Sequence, residues 1–237
     1  MRRLSEIRQT AACFLATWLL ACGAPLPSGR TVAQETPRQP AQVMSFTGAS
    51  WLERESRAVE DKPDLVIAAM ELSPGLTAAD LGAGTGFFTR RIARAVSPGG
   101  KVYAVDIQPE MLELLKKYAA EEGIDNVVPV LGSETDPNLP PASIDRLLMV
   151  DVYHEFQHPE PMLRKIRESL APGGTVILVE YRLEGTTAEH IKPEHRMSVE
   201  QVLEEWTAAG FLLVDRSEEL PAQHLFTFRA KRGARER

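Results

Sequence analysis

The sequence predicts an α/β fold built on a doubly wound, mostly parallel sheet. Short apolar strands alternate with amphipathic helices between residues 77 and 181, and each strand is apolar along its whole length. That pattern is typical of parallel strands covered by helices on both faces. Two later apolar stretches, at 211–220 and 224–230, are close enough in sequence to form an antiparallel pair. We therefore predict seven strands, the last of them antiparallel.

The individual elements follow from apolar periodicity and from the positions of glycine and proline. Strands are predicted at TAADL (77–81), KVYAVDI (101–107), NVVPVLG (126–132), IDRLLMVD (144–151) and TVILVEY (175–181). Helices are predicted at 86–96, 109–123, 160–174 and 198–210, after one or two leading helices within 51–72 that break at Pro63. Ser198 and Gln201 have the spacing of a capping box at the start of the last helix.

Composition limits what the folded part of the chain can contain. A chain of 237 residues with 43% hydrophobic residues is long enough for one α/β domain with attached ends. Both cysteines, Cys13 and Cys22, lie near the N-terminus, so we expect no disulfide, thiol nucleophile or cysteine metal site in the domain.

Charge is distributed unevenly along the chain. The net charge is −6, but the first eight residues carry +2 and the last nine carry +4, which leaves −12 for the rest. An acidic body repels a phosphate backbone. We therefore expect no nucleic-acid partner.

The N-terminus has the pattern of an export signal. The basic start MRRLSEIRQ precedes the short apolar run AACFLATWLLAC, which predicts a signal peptide or lipoprotein signal over 1–33. LLAC resembles a lipobox, with Cys22 as the lipid-modified residue, and cleavage after Ala33 is the alternative. The protein is then exported, as a periplasmic protein or a membrane-anchored lipoprotein, with membrane attachment through the N-terminus only. It is cytoplasmic if the true start is Met44.

The remaining boundaries follow from composition. Residues 34–50 are rich in polar residues and proline and are predicted to be a flexible linker. The domain is predicted over 51–230, and a basic disordered tail over 231–237.

A glycine loop follows the first strand in ADLGAGTG. Its glycines are spaced GxGxG, whereas the dinucleotide fingerprint is GxGxxG. Asp80 adds a negative charge beside the loop, which disfavours a pyrophosphate and suits an ammonium group. Asp106 ends the second strand about twenty residues later, where a carboxylate binds ribose hydroxyls. A ligand with an amino-acid end, a ribose and an adenine but no phosphate fits these observations.

At this point the sequence resembles the class I S-adenosylmethionine-dependent methyltransferases over roughly residues 64–228. ADLGAGTG is similar to the first motif of that family, and VYAVDIQPEML to its ribose-binding segment. GSETDPNLPPASIDRLLMVDVYHEF and LRKIRESLAPGGTVILVE follow in the family order at normal spacing. The branch with ubiquinone/menaquinone and arsenite methyltransferases is the most similar. The resemblance implies a Rossmann-like fold, S-adenosylmethionine as the cofactor and a small-molecule methyl acceptor.

The resemblance also implies the cofactor contacts. The methionine portion would face Asp80, Gly82, Gly84 and Gly86. The ribose would be bound by Asp106, and the adenine would pack against Ile107 and Met111. Gly132 would begin the adenine loop, where the family often has Asp next but this chain has Ser133 and Glu134. Asp151, after the fourth strand, completes the predicted cofactor set.

Candidates for chemistry lie in two segments. DVYHEF places Tyr153, His154 and Glu155 after the fourth strand, where open α/β sheets bind ligands. His154 is a candidate base or orienting group and Tyr153 a candidate pocket residue; alternatively both only cap the sheet edge. In KPEHRM, His195 and Arg196 are candidates for binding an acidic or phenolic acceptor, or else form part of a salt-bridged loop.

Other histidines and competing functions complete the sequence picture. His158, His190 and His224 are expected at the surface or an edge. No metal site is expected, since no HExxH-type spacing occurs.

Two other functions compete with methyl transfer: a non-catalytic cofactor-binding envelope protein and a dinucleotide-dependent oxidoreductase. The first has weight because S-adenosylmethionine is made in the cytoplasm, away from an exported domain.

Overall fold

The computed structural model describes residues 39–231. The helices are α1 (Ala49–Leu52), α2 (Arg57–Glu60), α3 (Pro63–Ala69), α4 (Phe87–Val96), α5 (Pro109–Glu121), α6 (Pro159–Ser169) and α7 (Val199–Ala208). The strands are β1 (Thr77–Leu81), β2 (Lys101–Asp106), β3 (Val127–Leu131), β4 (Ile144–Val150), β5 (Leu170–Arg182), β6 (Arg196–Met197), β7 (Phe211–Ser217) and β8 (Gln223–Ala230). Single 3-10 turns lie at Phe46–Gly48, Tyr153–Glu155 and Pro193–His195.

The strands form one sheet in the order β3-β2-β1-β4-β5-β8-β7, with the two-residue β6 added beside β5. Pairing is parallel from β3 to β5, and β8 is antiparallel to both β5 and β7. The predicted α/β class and mostly parallel sheet are confirmed. The last strand in sequence is the antiparallel one, and it lies between β5 and β7. The short β6 was not predicted.

Helices cover both faces of the sheet. On one face Trp206 of α7 is fully buried and stacks on Phe228 of β8, with ring centroids 4.4 Å apart, beside Met162 and Ile166 of α6. On the other face Ile92 of α4 and Met70 pack against β1, β2, β4 and β5. This burial on both sides explains why the central strands are apolar throughout.

Helix boundaries depart from the sequence prediction in two places. The leading region folds as three short helices rather than one or two, with Pro63 at the first position of α3. The helix predicted to reach residue 174 ends at Ser169, since Pro172 disfavours helical backbone at the residue before it and Gly173 has a positive φ of 88°. At α7, Ser198 Oγ accepts from the amide of Gln201 at 3.1 Å, as predicted. The Gln201 side chain instead donates to Glu205, so only half of the capping box forms.

Residues 41–47, here called the N-terminal strap, pack on the domain. Ala41 is buried and its amide donates to the carbonyl of His154 at 3.0 Å. Within the segment 34–50 predicted to be a flexible linker, residues from Ala41 onward therefore pack on the domain. Long-range hydrogen bonds hold this segment, which composition alone does not show.

Several predictions lie outside the described residues. These are the signal or lipoprotein segment 1–33 with Cys22, the first part of the linker, and nearly all of the basic tail 231–237. Between residues 39 and 231, no helix is both long enough and apolar enough to cross a membrane.

Candidate active site

A cavity of about 810 Å³ lies at the carboxyl ends of the central strands, where the strand order reverses between β1 and β4. Such a switch point is where open α/β sheets bind ligands. The walls of this central cavity come from the glycine loop after β1, the end of β2, the loop 132–134, the turn 150–157, the strap and the loop 190–195.

The glycine loop depends on backbone conformations that favour glycine. Gly82, Gly84 and Gly86 all have positive φ, of 78°, 54° and 88°. A Cβ on Gly82 would lie 2.5 Å from Cγ2 of Val152, and one on Gly84 would lie 2.8 Å from Cδ1 of Leu52. Gly82 and Gly84 line the cavity, whereas Gly86 starts α4 and packs against Leu115. The loop is a close-fitting backbone cradle, as the spacing predicted.

Asp106 connects the end of β2 to this loop. Its Oδ2 accepts from the amide of Gly84 at 2.8 Å, and its Oδ1 accepts from the amide of Gln108 at 2.9 Å. Burial raises the pKa of Asp106, and the hydrogen bonds from the Gln108, Gly84 and Ile107 amides oppose that rise. The carboxylate is therefore held in one orientation at the cavity wall.

Asp80 lies deeper in the cavity wall. It is 3% exposed, and its Oδ2 accepts from the Thr89 hydroxyl at 2.6 Å. Burial raises the pKa of Asp80 to about 6, with Thr89 and Arg57 opposing the rise. A cationic group at this position would compensate the buried carboxylate.

The residues predicted for the adenine end also line the cavity. They are Ile107, Met111, Gly132, Ser133 and Glu134. Met111 is buried, whereas Ile107 is 41% exposed. Ser133 Oγ already accepts from the Asp136 amide at 3.0 Å and so holds the turn. Glu134 is exposed, with its carboxylate 3.9 Å from His158. The structure brings this predicted set together with the glycine loop.

Past the glycine loop, the cavity is bounded by acidic groups. Asp151 has a φ of 50°, and its buried Oδ1 has no hydrogen-bond partner among the described residues. Burial and the nearby Glu180 raise its pKa well above the ordinary value.

Glu180, on β5, is fully buried and is a site residue that sequence reasoning missed. One signal was present: a single acid inside the apolar run TVILVEY, which must find partners when buried.

His154 bridges Glu180 and His195. Its Nδ1 lies 2.6 Å from Oε2 of Glu180, and its Nε2 lies 3.1 Å from Nδ1 of His195. Burial lowers the pKa of His154, but the Glu180 carboxylate, with Asp151 and Glu155, outweighs burial and raises it overall. Burial and the neighbouring His154 lower the pKa of His195.

Glu155 lines the cavity beside this pair. Burial raises its pKa to about 7, opposed by His154 and by the amide of Met44, which donates to its Oε1 at 3.2 Å. The structure thus brings His154, Glu155 and His195 together at the cavity, although the sequence offered them in two separate segments.

Besides Gly86, two predicted site residues lie outside the cavity lining. Tyr153 does not line the cavity: its ring is fully buried against Trp206 and Phe156, and its hydroxyl donates to Glu205 at 2.6 Å. Its prediction as a pocket residue is wrong, because the turn 153–155 directs Tyr153 into the core and His154 and Glu155 toward the cavity. Arg196 pairs with Tyr181 in the sheet and lines a neighbouring recess rather than the cavity itself. Its prediction as an acceptor-binding residue is likewise not matched by its position.

The other histidines divide between surface and interior. His158 and His190 are exposed, and His190 lines the cavity. His224 is buried between Glu218 and Glu184, which corrects its placement at the surface. Across residues 39–231, no group of three or more His, Cys, Asp or Glu side chains is arranged to hold a metal ion.

The N-terminal strap closes one side of the cavity. Phe46 donates its amide to Oε1 of Gln108 at 2.9 Å, and Nε2 of Gln108 donates to the Met44 carbonyl at 2.8 Å. Behind the strap, Glu53 accepts from Thr85 of the glycine loop and from Arg90 of α4. Residues before the first strand therefore complete the pocket.

The fold and this pocket agree with comparisons to known proteins. A profile of the Methyltransferase domain family matches residues 72–221, and the chain belongs to this family. Membership implies S-adenosylmethionine as the cofactor. The dinucleotide-dependent oxidoreductase and the non-catalytic envelope protein find no support in these comparisons.

Two curated relatives match about half of the chain. One is the protein-L-isoaspartate O-methyltransferase of Aeropyrum pernix, 30% identical over 113 residues, which are 48% of this chain and 42% of that protein. Another is the ubiquinone/menaquinone biosynthesis C-methyltransferase of Burkholderia cenocepacia, 29% identical over 48% of this chain and 47% of that protein. The chain thus spans less than half the length of these relatives.

Solved structures share the fold. An S-adenosylmethionine-dependent methyltransferase of Aquifex aeolicus superposes with a TM-score of 0.73 at 24% identity, covering 78% of this chain and 98% of that one. An arsenic(III) S-adenosylmethionine methyltransferase of Chlamydomonas reinhardtii gives a TM-score of 0.53 at 20% identity, covering 68% and 65%.

The residues present fit the implied cofactor. The cradle at Gly82 and Gly84 leaves no room for side chains, so a ligand can approach the backbone closely. Asp106 suits a ribose, and the buried Asp80 and the unpartnered Asp151 Oδ1 suit a cationic ligand. S-adenosylmethionine carries both features.

Proposed function

We propose that this protein transfers the methyl group of S-adenosylmethionine to a small-molecule acceptor. The observation that carries the proposal is the continuity of the cavity, which runs from the glycine loop and Asp106 to His154 and His195. One end has the groups for the cofactor, and the other has titratable groups for an acceptor.

When bound, the cofactor would supply an electrophilic methyl group on a positively charged sulfur. Gly82, Gly84 and Asp106 would hold it through the backbone and the ribose. Asp80 and Asp151 would offset its positive charge. The chain's remaining contribution is positioning and the exclusion of water, because a methyl displacement gains most from alignment of its reactants.

The lining of the cavity favours a small acceptor. The cavity's volume of about 810 Å³ lies in the range of small-molecule sites, and the strap and the loop 190–195 contribute to its walls. Outside its basic ends the chain carries a net charge of −12, which would repel a phosphate backbone. The curated relatives are named for a protein O-methylation and a quinone C-methylation, so they do not select the acceptor atom.

The first experiment measures binding of the cofactor. Calorimetry on the full chain should show S-adenosylmethionine binding and no NADH binding. Asp106→Ala should weaken the cofactor at least tenfold, roughly 1.4 kcal/mol, and Asp106→Asn should weaken it less because it keeps one acceptor. Asp125→Ala, an exposed acid after α5, is the matched control and should bind as the wild type does.

The second experiment measures transfer of the methyl group to an acceptor. The full chain is incubated with methyl-labelled cofactor and an extract of the source cells, which is then separated into small-molecule, protein and nucleic-acid fractions. Label in the small-molecule fraction that disappears with Asp106→Ala is the expected result. Label in the protein or nucleic-acid fraction would overturn the small-molecule acceptor.

A further inference from the structure

The three side chains Glu180, His154 and His195, here called the histidine relay, form one hydrogen-bonded chain at the cavity. The contacts are 2.6 Å from Glu180 Oε2 to His154 Nδ1 and 3.1 Å from His154 Nε2 to His195 Nδ1. Glu180 is fully buried and His154 is 4% exposed, whereas His195 is partly exposed and lines the cavity. The histidine relay thus runs from the buried Glu180 on β5 to the cavity.

The direction of each hydrogen bond follows from Glu180. Its Oε1 accepts from the amide of Tyr153 at 2.7 Å and from that of Val152 at 3.2 Å. The carboxylate is therefore an acceptor, and Nδ1 of His154 carries the hydrogen that it donates to Oε2. The neutral His154 then has a lone pair at Nε2, which accepts from Nδ1–H of His195. His195 is left with its lone pair on Nε2, and no other hydrogen bond of its ring lies within residues 39–231.

We propose that the histidine relay makes His195 Nε2 the proton acceptor of this site, with Glu180 as a positioning residue that sets both tautomers. This inference rests on the proposed methyl transfer and narrows the acceptor to a molecule whose nucleophilic atom carries a proton, such as a hydroxyl or an amine. The roles differ from the sequence prediction, in which His154 was the candidate base.

The transfer step balances in atoms and charge. The lone pair of the acceptor atom forms the bond to the methyl carbon, the electron pair of the carbon–sulfur bond goes to sulfur, and the acceptor's proton goes to His195 Nε2. His195 can pass its Nδ1 proton to His154 Nε2, so that the positive charge rests beside the Glu180 carboxylate. The opposite shifts of the two pKa values, up for His154 and down for His195, favour that final position of the proton.

The substitution Glu180→Gln should reverse the donor and acceptor of each hydrogen bond in the histidine relay, while the side chain keeps nearly the same size and shape. The amide oxygen of Gln must still accept from Tyr153 and Val152, so its NH₂ group faces His154 Nδ1 and donates to it. His154 then carries its hydrogen on Nε2 and donates to His195 Nδ1. His195 is left with a hydrogen on Nε2 and no lone pair toward an acceptor.

The first test reads the tautomers directly. Nitrogen-15 NMR of the histidine rings in the full chain, recorded above the His154 titration midpoint, should show His195 protonated on Nδ1 in the wild type and on Nε2 in Glu180→Gln. Glu218→Gln is the matched control, because Glu218 pairs with the buried His224 outside the cavity; it should leave His195 unchanged. A wild-type His195 with its hydrogen on Nε2, or no change in Glu180→Gln, would overturn the relay.

The same spectra give the titration of His154. Its midpoint should lie above the ordinary histidine value in the wild type and fall in Glu180→Gln, because the carboxylate that raises the pKa is gone. The charged groups facing the relay are Asp151 after β4, Glu155 on the same turn, and Lys192 and Glu194 beside His195. Both proteins keep these groups, but Glu180 also raises the pKa of Asp151 and of Glu155, so the fall in the His154 midpoint reports the loss of the Glu180 charge together with the response of these two acids. An unchanged midpoint would contradict the role of Glu180.

The acceptor class is tested by transfer from labelled cofactor to two matched sets of small probes. Phenols, alcohols and primary amines carry a proton on the nucleophile, whereas thioethers and tertiary amines carry none. Transfer is expected only to the first set and at least 100-fold slower in Glu180→Gln, since a general base contributes about 10²–10⁴-fold. Transfer to the second set, equal rates in Glu180→Gln, or transfer to neither set would overturn the acceptor class. Calorimetry of the cofactor separates these outcomes from failure of the proposed function, because Glu180→Gln should leave cofactor binding intact.

Discussion

The amide of Gly84 donates to Oδ2 of Asp106 at 2.8 Å, which joins the glycine loop after β1 to the end of β2. The two residues, which the sequence analysis singled out separately after β1 and at the end of β2, are therefore directly hydrogen-bonded. The shape of the loop and the orientation of the carboxylate depend on each other.

Substitutions in the glycine loop should separate backbone strain from steric conflict. Gly82 and Gly123 both have positive φ, but a Cβ on Gly123 meets nothing within 4 Å, whereas one on Gly82 meets Val152 at 2.5 Å. Gly123→Ala should cost about 1–2 kcal/mol of unfolding free energy, and Gly82→Ala about 1–3 kcal/mol more. Denaturant titration measures both. Equal losses would show that Val152 yields freely and that the loop is not closely packed.

The buried Asp80 should reduce stability at neutral pH. Its pKa of about 6 in the folded protein lies above its ordinary value, so folding takes up a proton between these two values and stability falls as pH rises. Asp80→Asn should therefore raise the unfolding free energy by up to about 2–3 kcal/mol above pH 7. The gain should vanish below about pH 3, where Asp80 is protonated in both states.

The control for this prediction is Asp125→Asn, at an exposed position, which should leave the pH dependence unchanged. Asp80→Asn should also weaken the cofactor, because the negative charge facing a cationic ligand is lost. A variant that is stabilised equally at all pH values would show that packing, not ionisation, limits stability at this site.

The N-terminal strap should control escape of the cofactor. Gln108→Ala removes the two hydrogen bonds to Met44 and Phe46, each worth roughly 0.5–1.5 kcal/mol. We expect faster amide hydrogen exchange over residues 41–47 and a roughly tenfold faster cofactor dissociation in stopped-flow measurements. Gln201→Ala, which removes a side-chain bond within α7, should change neither. Faster exchange with unchanged dissociation would mean that the strap covers the cavity without retaining its ligand.

Processing of the N-terminus should be visible in the intact mass of the protein purified from its source cells. We expect the mature chain to begin at a lipid-modified Cys22 or at Gln34, because the basic start and short apolar run have the pattern of a signal. In Cys22→Ser the lipid-bearing form should disappear and the protein should leave the membrane fraction. A chain that begins at Met1 or Met44 would contradict export and place the domain where S-adenosylmethionine is made.

Much of the fold was determined by the sequence through local physics. The bounds of β1, the helix start at Pro109 and the Ser198 cap follow from apolar periodicity and from backbone preferences that act over a few residues. The positive φ of Gly82 and Gly84 is likewise a local effect, because only glycine adopts that conformation without strain. Spacing alone therefore placed the glycine loop and Asp106 at the ends of neighbouring strands, where the structure has them.

Only the tertiary structure decided the chemistry at the far end of the cavity. Tyr153 and His154 are neighbours in sequence, yet one packs on Trp206 in the core and the other bonds to Glu180 at the cavity. Glu180 reaches His154 because β4 and β5 are paired, and Ala41 reaches His154 across more than a hundred residues. These contacts depend on which strand ends become neighbours and which side of a turn each side chain takes, and neither is encoded in local sequence spacing.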